Sequence, residues 1–219
     1  MPMFEIQDVQ NNKPINWKFE SAEAISAPLD LCFLKGQNVN FQIPEYQVAI
    51  ISTDGKARRV MLEGSHSYFV DGTGSESLPA DGLVYFLNTD HQISVNFDKN
   101  NPLVIPGNAL DNPVSLTGSI AFSIDNPVLF HKTFLLENIC SQSDCSNTVA
   151  NLLPAWLTIT LAKKCGTGTS KEIFHSEIMK LMPIDLNHLF LNHGLSCTEF
   201  NLAIINNYSA ESKSDLLVT

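Results

Sequence analysis

Val114-Ser115-Leu116-Thr117-Gly118-Ser119-Ile120-Ala121-Phe122-Ser123-Ile124-Asp125-Asn126-Pro127 is the stretch on which the fold turns. Val114, Leu116, Ile120, Phe122 and Ile124 recur at every second position, the period of a strand with one buried face. The opposite face is small and polar. Gly118 falls in register with the apolar set, so it marks a bulge or a close approach of another backbone. At Asp125-Asn126-Pro127 the period breaks. An Asp or Asn oxygen can satisfy the orphan amides of a first helical turn, and proline suits its first position. A short helix is expected from Pro127 to about Phe134.

Upstream of this stretch the signals are those of strands. Tyr46–Ile51 is apolar and β-branched, Asp54-Gly55 is a two-residue hairpin signal, and the return strand is Ala57–Leu62. Ser67–Val70, Leu83–Asn88, Gln92–Phe97 and Leu103–Ile105 are further strands, and 71–82 reads as loop. Downstream the signals become helical. A helix is expected from about Asn147 to Lys164, with Val149, Leu152, Leu153, Trp156, Leu157 and Leu161 on one stripe. Pro154 either kinks that helix or marks its first turn. Thr169-Ser170-Lys171-Glu172 fits a capping box opening a third helix, interrupted or kinked at Pro183 and stopping at His193-Gly194. Leu195–Ile205 alternates again and closes the fold as a strand, and the polar tail from Asn206 is expected to fray. Many strands, then three helices, then a strand, is an α+β order. The expected division is an N-terminal extension (1–30), a β-rich subdomain (31–110), an α/β subdomain (111–206) and a flexible tail (207–219).

Composition narrows the function. With 219 residues, 44% hydrophobic and 16% charged, the chain is globular and long enough to bury roughly 70% of its unfolded surface without a metal or disulfide. Thirteen Lys+Arg against 23 Asp+Glu leave a charge of −10. Nucleic-acid binding needs clustered cations to displace phosphate counterions, and the adjacent basic pairs are only Arg58-Arg59 and Lys163-Lys164; no nucleic-acid partner is expected. Docking on an anionic lipid surface is disfavoured for the same reason. Met1–Asp8 has neither a basic nor an apolar signal region, and no stretch approaches the apolar length of a membrane span. A cytoplasmic protein without a transmembrane segment is expected. Cys32, Cys140, Cys145, Cys165 and Cys197 are odd in number and irregularly spaced, so free thiols are expected. Cys140 and Cys145 with His131 upstream make one loose pair, short of the paired spacing of structural zinc sites.

No catalytic, cofactor-binding or metal-binding residues are assigned, and no cofactor is expected. Gly72-Thr73-Gly74 and Gly166-Thr167-Gly168 do not continue as phosphate loops, and no Gly-x-Ser-x-Gly elbow occurs. His188 and His193 are five apart, off the spacing that puts two ligands on one helical face. His175 beside Phe174 reads as a solvent-facing residue. Asp90, Asp98, Asp111 and Asp125 fall in turns and at a cap, where local hydrogen bonds account for them. A cysteine nucleophile would need a histidine brought to it by the fold.

Four segments together resemble a known family. Val84-Tyr85-Phe86-Leu87-Asn88-Thr89 with Pro102-Leu103-Val104-Ile105, and Gly118 through Pro127, are similar to consecutive segments of the virion-core-protein-like branch of the stomatin–prohibitin–flotillin (SPFH, band 7) superfamily. Glu45–Ile50 with Asp54-Gly55-Lys56 and Glu63-Gly64 resembles its opening, and Asn192–Leu195 with Phe200-Asn201-Leu202 its close. The resemblance spans residues 31–206 in order. It implies a β-rich first half, helices against a small sheet in the second, and non-enzymatic scaffolding near membranes. The family carries no catalytic residues. The sequence departs from it in having no long heptad helix after Ile205 and no C-terminal zinc ribbon, which points away from large rings. The expected protein is therefore a scaffold or interaction module with an unknown protein partner and peripheral membrane contact at most. It is expected as a monomer, dimer or small oligomer, associating through sheet edges or an apolar patch around Trp156 or Phe190. The alternative is a small-ligand binding protein or unrecognised hydrolase using residues 71–82 as a lid.

Overall fold

The structure, a computed structural model, describes residues 14–17, 23–71, 77–105, 114–164 and 184–205. These form eleven strands in three sheets with helices in the second half, an α+β fold. The strands are β1 (Ser26–Asp30), β2 (Asn38–Ile43), β3 (Gln47–Thr53), β4 (Lys56–Met61), β5 (Gly64–Val70), β6 (Ser77–Leu78), β7 (Leu83–Asn88), β8 (Gln92–Phe97), β9 (Leu103–Ile105), β10 (Val114–Ile124) and β11 (Leu195–Ile205). The helices are α1 (Pro127–Thr133), α2 (Gln142–Lys164) and α3 (residues 184–191).

The sheet β1-β7-β3-β4 is the partition of the molecule. On β3 and β7, Val48, Ile50, Tyr85 and Leu87 face one core, while Ala49, Ile51, Val84 and Phe86 face the other. A strand buried on both faces must be apolar at both parities, which is why Val48–Ile51 runs unbroken instead of alternating. The second core is closed by the sheet β2-β5-β6, whose Val39, Phe41, Ile43 and Val70 point inward. The first is closed by β10, flanked by β11 on one side and by β8 and β9 on the other, together with the helices. β8 and β9, in the stretch expected to be the β-rich subdomain, thus join a sheet centred on β10.

The Asp54-Gly55 turn joins β3 to β4 with both residues at positive φ, 53° and 69°, as a two-residue hairpin demands. Gly118 proves to be a close approach and not a bulge. Its φ is +135°, and a Cβ there would stand 1.8 Å from the Asn201 carbonyl oxygen on β11. The bulge is instead on β11, where Ala121 faces Glu199 and Phe122 faces Cys197, leaving Thr198 over.

Four elements differ from expectation: β2 and β6 are strands where none was read, and β1 and α2 differ as follows. β1 lies within the stretch read as an extension, and Ile15 and Trp17 are buried in the second core as well. Pro28 makes Ser26–Asp30 look unlike a strand, but β1 is an edge, where a missing amide costs nothing. Helix α2 begins at Gln142 and not near Asn147. Ser141 Oγ accepts from the Asp144 amide at 3.1 Å, capping the helix, and its hydroxyl donates to Asp144 Oδ2 at 2.6 Å. Pro154 lies inside this helix, and the Thr158 hydroxyl donates to its carbonyl at 2.7 Å. The Thr169–Glu172 box, Pro183 and the tail from Asn206 lie outside the described residues. α3 ends as expected, at a turn over 192–194 with Gly194 at φ +77°.

Candidate functional site

Helix α1 brings the first candidate group into the core. Asn126 Oδ1 accepts from the Val128 and Leu129 amides, both at 3.1 Å, with Pro127 in the first turn. The Asp125 and Asn126 amides in turn donate to Gly194 O at 2.9 and 3.2 Å, fixing the entry of α1 against the start of β11. So held, α1 packs on β3 and β4 and turns His131 inward, where it is 1% exposed. Its ring meets Tyr85 of β7 edge-on, centroids 4.9 Å apart, and its Nε2 has no hydrogen-bond partner.

Cys140 and Cys145 lie at the same junction. The Cys140 carbonyl accepts from the Ile25 and Ser26 amides, joining the approach to β1 to the start of α2. Burial raises the Cys140 thiol above its ordinary value, helped by Asp144. Burial pushes the Cys145 thiol up to about 12, with smaller contributions from Cys140 and Asp144. Tyr85 is raised by burial and then by Cys140, and burial lowers His131. The cluster is therefore a set of neutral groups: imidazole, phenol and thiols. Thiol nucleophiles and metal ligands act as thiolates, and this environment opposes forming one. Among the described residues, no group of three or more His, Cys, Asp or Glu is placed to hold a metal ion.

The sign of these shifts gives a pH dependence. His131 and His193 are both lowered by burial, so the unfolded chain takes up protons first as pH falls. Stability is then full above the unfolded value near pH 6.5 and declines below it. Chemical denaturation at pH 7.5 and 5.5 should show this loss, and it should shrink in His131→Phe. An undiminished loss in that variant would mean that His131 does not carry the effect.

A second cluster joins the helices to β10. Phe190 of α3 is fully buried, 4.2 Å from the Phe122 ring and 4.7 Å from Trp156 of α2. This corrects the expectation of a surface patch around Phe190: it is a core residue under Trp156. Trp156, only partly buried, stacks on His193 at 4.9 Å and 26°. Among the described residues, Val128, Ile159 and Ile184 are the large apolar side chains exposed on the helices. His188 stays exposed on α3 while His193 is taken up by Trp156.

Of the loop carboxylates, Asp98 has the expected local role, while Asp90 and Asp125 bond through their backbone amides. Asp98 Oδ1 accepts from the Asn100 and Asn101 amides at 2.8 and 2.7 Å. Asn88 Oδ1 accepts from the Asp90 amide at 3.1 Å. At the end of the loop expected to act as a lid, β6 pairs with β5, Leu78 is 1% exposed and Gly82 O accepts from the Leu31 amide at 3.0 Å. That end is anchored in the fold. Residues 72–76, Asp111, Cys165 and His175 lie outside the described residues.

Cys32, Cys140, Cys145 and Cys197 are free thiols. Cys197 is pushed up to about 11 by burial. Cys32 is exposed, and a hydrogen bond with Asp30 is the main cause of its raised pKa. In a thiol-exchange assay on the native protein, Cys32 is expected to react before Cys140 and Cys197, and Cys145 only on unfolding. Reaction of Cys145 as fast as Cys32 would contradict its burial.

The pairing of His131 with Tyr85 was not visible in the sequence; they stand on different elements, and only the packing of α1 on the sheet unites them. No protein-family model matches the sequence, and no curated protein matches it. What fold and site define is thus a class: a mixed α+β protein with His131, Tyr85 and Cys145 folded into its core.

Proposed function

We propose that this chain is a non-enzymatic scaffold or interaction module with a core of the stomatin–prohibitin–flotillin type, working in the cytoplasm through protein partners. The observation that carries the reading is the packing of His131 against Tyr85, and of Cys140 and Cys145 at the start of α2, into the first core. Burial there favours the uncharged form of every group, which suits packing and not nucleophilic or acid–base work. The order of the segments that resemble the superfamily supports it further: hairpin β3–β4, strand β7, then β10 running into α1. Contact with membranes is proposed to run through a partner. No helix among the described residues is long and apolar enough to cross one.

Affinity capture of the full chain from its native cells, with liposome flotation of the purified protein, tests this. The expected result is an identified protein partner and no flotation with neutral vesicles in its absence. Strong flotation by the chain alone would reveal a membrane-binding surface of its own and contradict the reading.

A further inference from the structure

The short segment Pro14–Trp17 is seated on the fold in the manner of an added strand. It runs parallel to β2 at a bridge that sets Ile15 opposite Phe41, on the edge of β2 away from β5. The Ile15 amide donates to Asn40 O at 2.7 Å, and the Gln42 amide donates to Ile15 O at 2.9 Å. Its side chains alternate: Ile15 and Trp17 are buried in the second core, while Pro14 and Asn16 are exposed. Main-chain bonds for affinity and pockets for alternate side chains are how a sheet edge recognises an extended peptide. None of these contacts requires that the segment be covalently joined to the sheet.

Gln47 supplies an independent observation. At the start of β3 it shares the parity of Ala49 and Ile51, which face the second core, and it is 7% exposed. Its Nε2 donates to Trp17 O at 3.4 Å, beyond the usual range of such bonds. Its Oε1 is buried and has no hydrogen-bond partner. A side-chain amide laid against a peptide backbone can use both ends, donating to a carbonyl and accepting from an N–H. Here the donor end is stretched and the acceptor end is unused, and a buried unsatisfied acceptor is costly. The segment is tied to the chain at both ends, which limits how far it can shift to satisfy Gln47.

We infer that the edge of β2 and the Gln47 side chain form a peptide-binding site, which Pro14–Trp17 occupies as an internal competitor for an extended segment of a partner protein. The inference deepens the interaction-module reading and rests on it. The partner's segment carries an aliphatic residue two positions before an aromatic one, lies parallel to β2, and gives a backbone N–H to Gln47 Oε1. An occupant joined by a short tether competes at an effective concentration of about millimolar. The added bond to Gln47 is what lets an untethered segment displace it. Binding in trans releases Trp17 from the second core.

Fluorescence of the full chain carrying Trp156→Phe, in which Trp17 is the sole tryptophan, tests this. The probe is a synthetic peptide of residues 11–20 carrying Trp17→Phe. Adding it should shift the Trp17 emission to the red, saturably, while the same peptide with Ile15→Ser and Trp17→Ser should not. Polarisation of a dye-labelled copy of the peptide on the unmodified chain gives the reading without Trp156→Phe. Ile15→Ser in the full chain weakens the competitor, so the half-saturating peptide concentration should fall at least about tenfold. Adding Gln47→Leu to that chain should raise it again at least about threefold. Both variants are read beside their melting curves, and the first two measurements depend on neither. No emission shift together with no polarisation change would overturn the inference, as would an equal effect of the serine peptide. So would an unchanged half-saturation in folded Ile15→Ser, or in folded Ile15→Ser/Gln47→Leu relative to Ile15→Ser. A chain that ignores the peptide but still captures a protein partner from cells removes this site and leaves the interaction-module reading in place.

Discussion

Gly118→Val is expected to cost at least about 3 kcal/mol of folding stability, the sum of backbone strain and overpacking in one place. The residue holds φ +135°, a region that β-branched side chains do not adopt. Space is lacking as well, since a Cβ would meet Asn201 O at 1.8 Å and the Leu202 Cα at 3.1 Å. Both obstacles are backbone of the adjacent strand, so no rotamer change relieves them. Gly118 pairs with Phe97 on β8 and with Leu202 on β11, so displacing β11 disturbs the centre of its sheet. Urea denaturation reads the effect directly, and a midpoint equal to the parent's would contradict the close approach. Gly118→Ala, which lacks the branched carbon, should be impaired in the same direction and less severely.

Phe190→Ala is the other large effect, expected at about 3–5 kcal/mol. The ring lies between Phe122 of β10 and Trp156 of α2, so its removal leaves a cavity where two helices and a sheet meet. Neighbouring side chains can close only part of such a gap. In a Trp17→Phe background, Trp156 is the sole tryptophan, and its emission should shift to the red as Phe190 is lost. An unchanged spectrum with an unchanged midpoint would mean that Phe190 is not packed as described.

The parts of the fold legible in the sequence are those fixed by local pattern. β7, β8, β9, β10 and β11 fall where alternation and turn residues place them. The Asp54-Gly55 hairpin and the Asn126 cap follow from chemistry within four residues of chain. The α+β class follows from the order of these elements. What was not legible depends on partners distant in sequence. Pro28 argues against a strand until β1 is known to be an edge. The grouping of β8 and β9 with β10, away from β7, is a choice of long-range pairing that periodicity does not encode. Phe190 looked like surface material because burial of α3 depends on Phe122 and Trp156, neither its neighbour in sequence.

The same division holds for the site. Turn and cap roles for Asp98 and Asn126 are local and readable. The neutral state of His131 and Cys145 is not, because it arises from burial between α1, α2 and the β7 face. A histidine directly after a cap-Pro-Val-Leu-Phe run carries no mark of facing Tyr85.

Native mass spectrometry of the chain isolated from its own cells tests the central claim, that this is an interaction module and not an enzyme or small-ligand carrier. The account predicts a species containing a second polypeptide, either another copy or an identified protein partner, with no small molecule bound in stoichiometric amount. A monomer that carries a stoichiometric small molecule would contradict it.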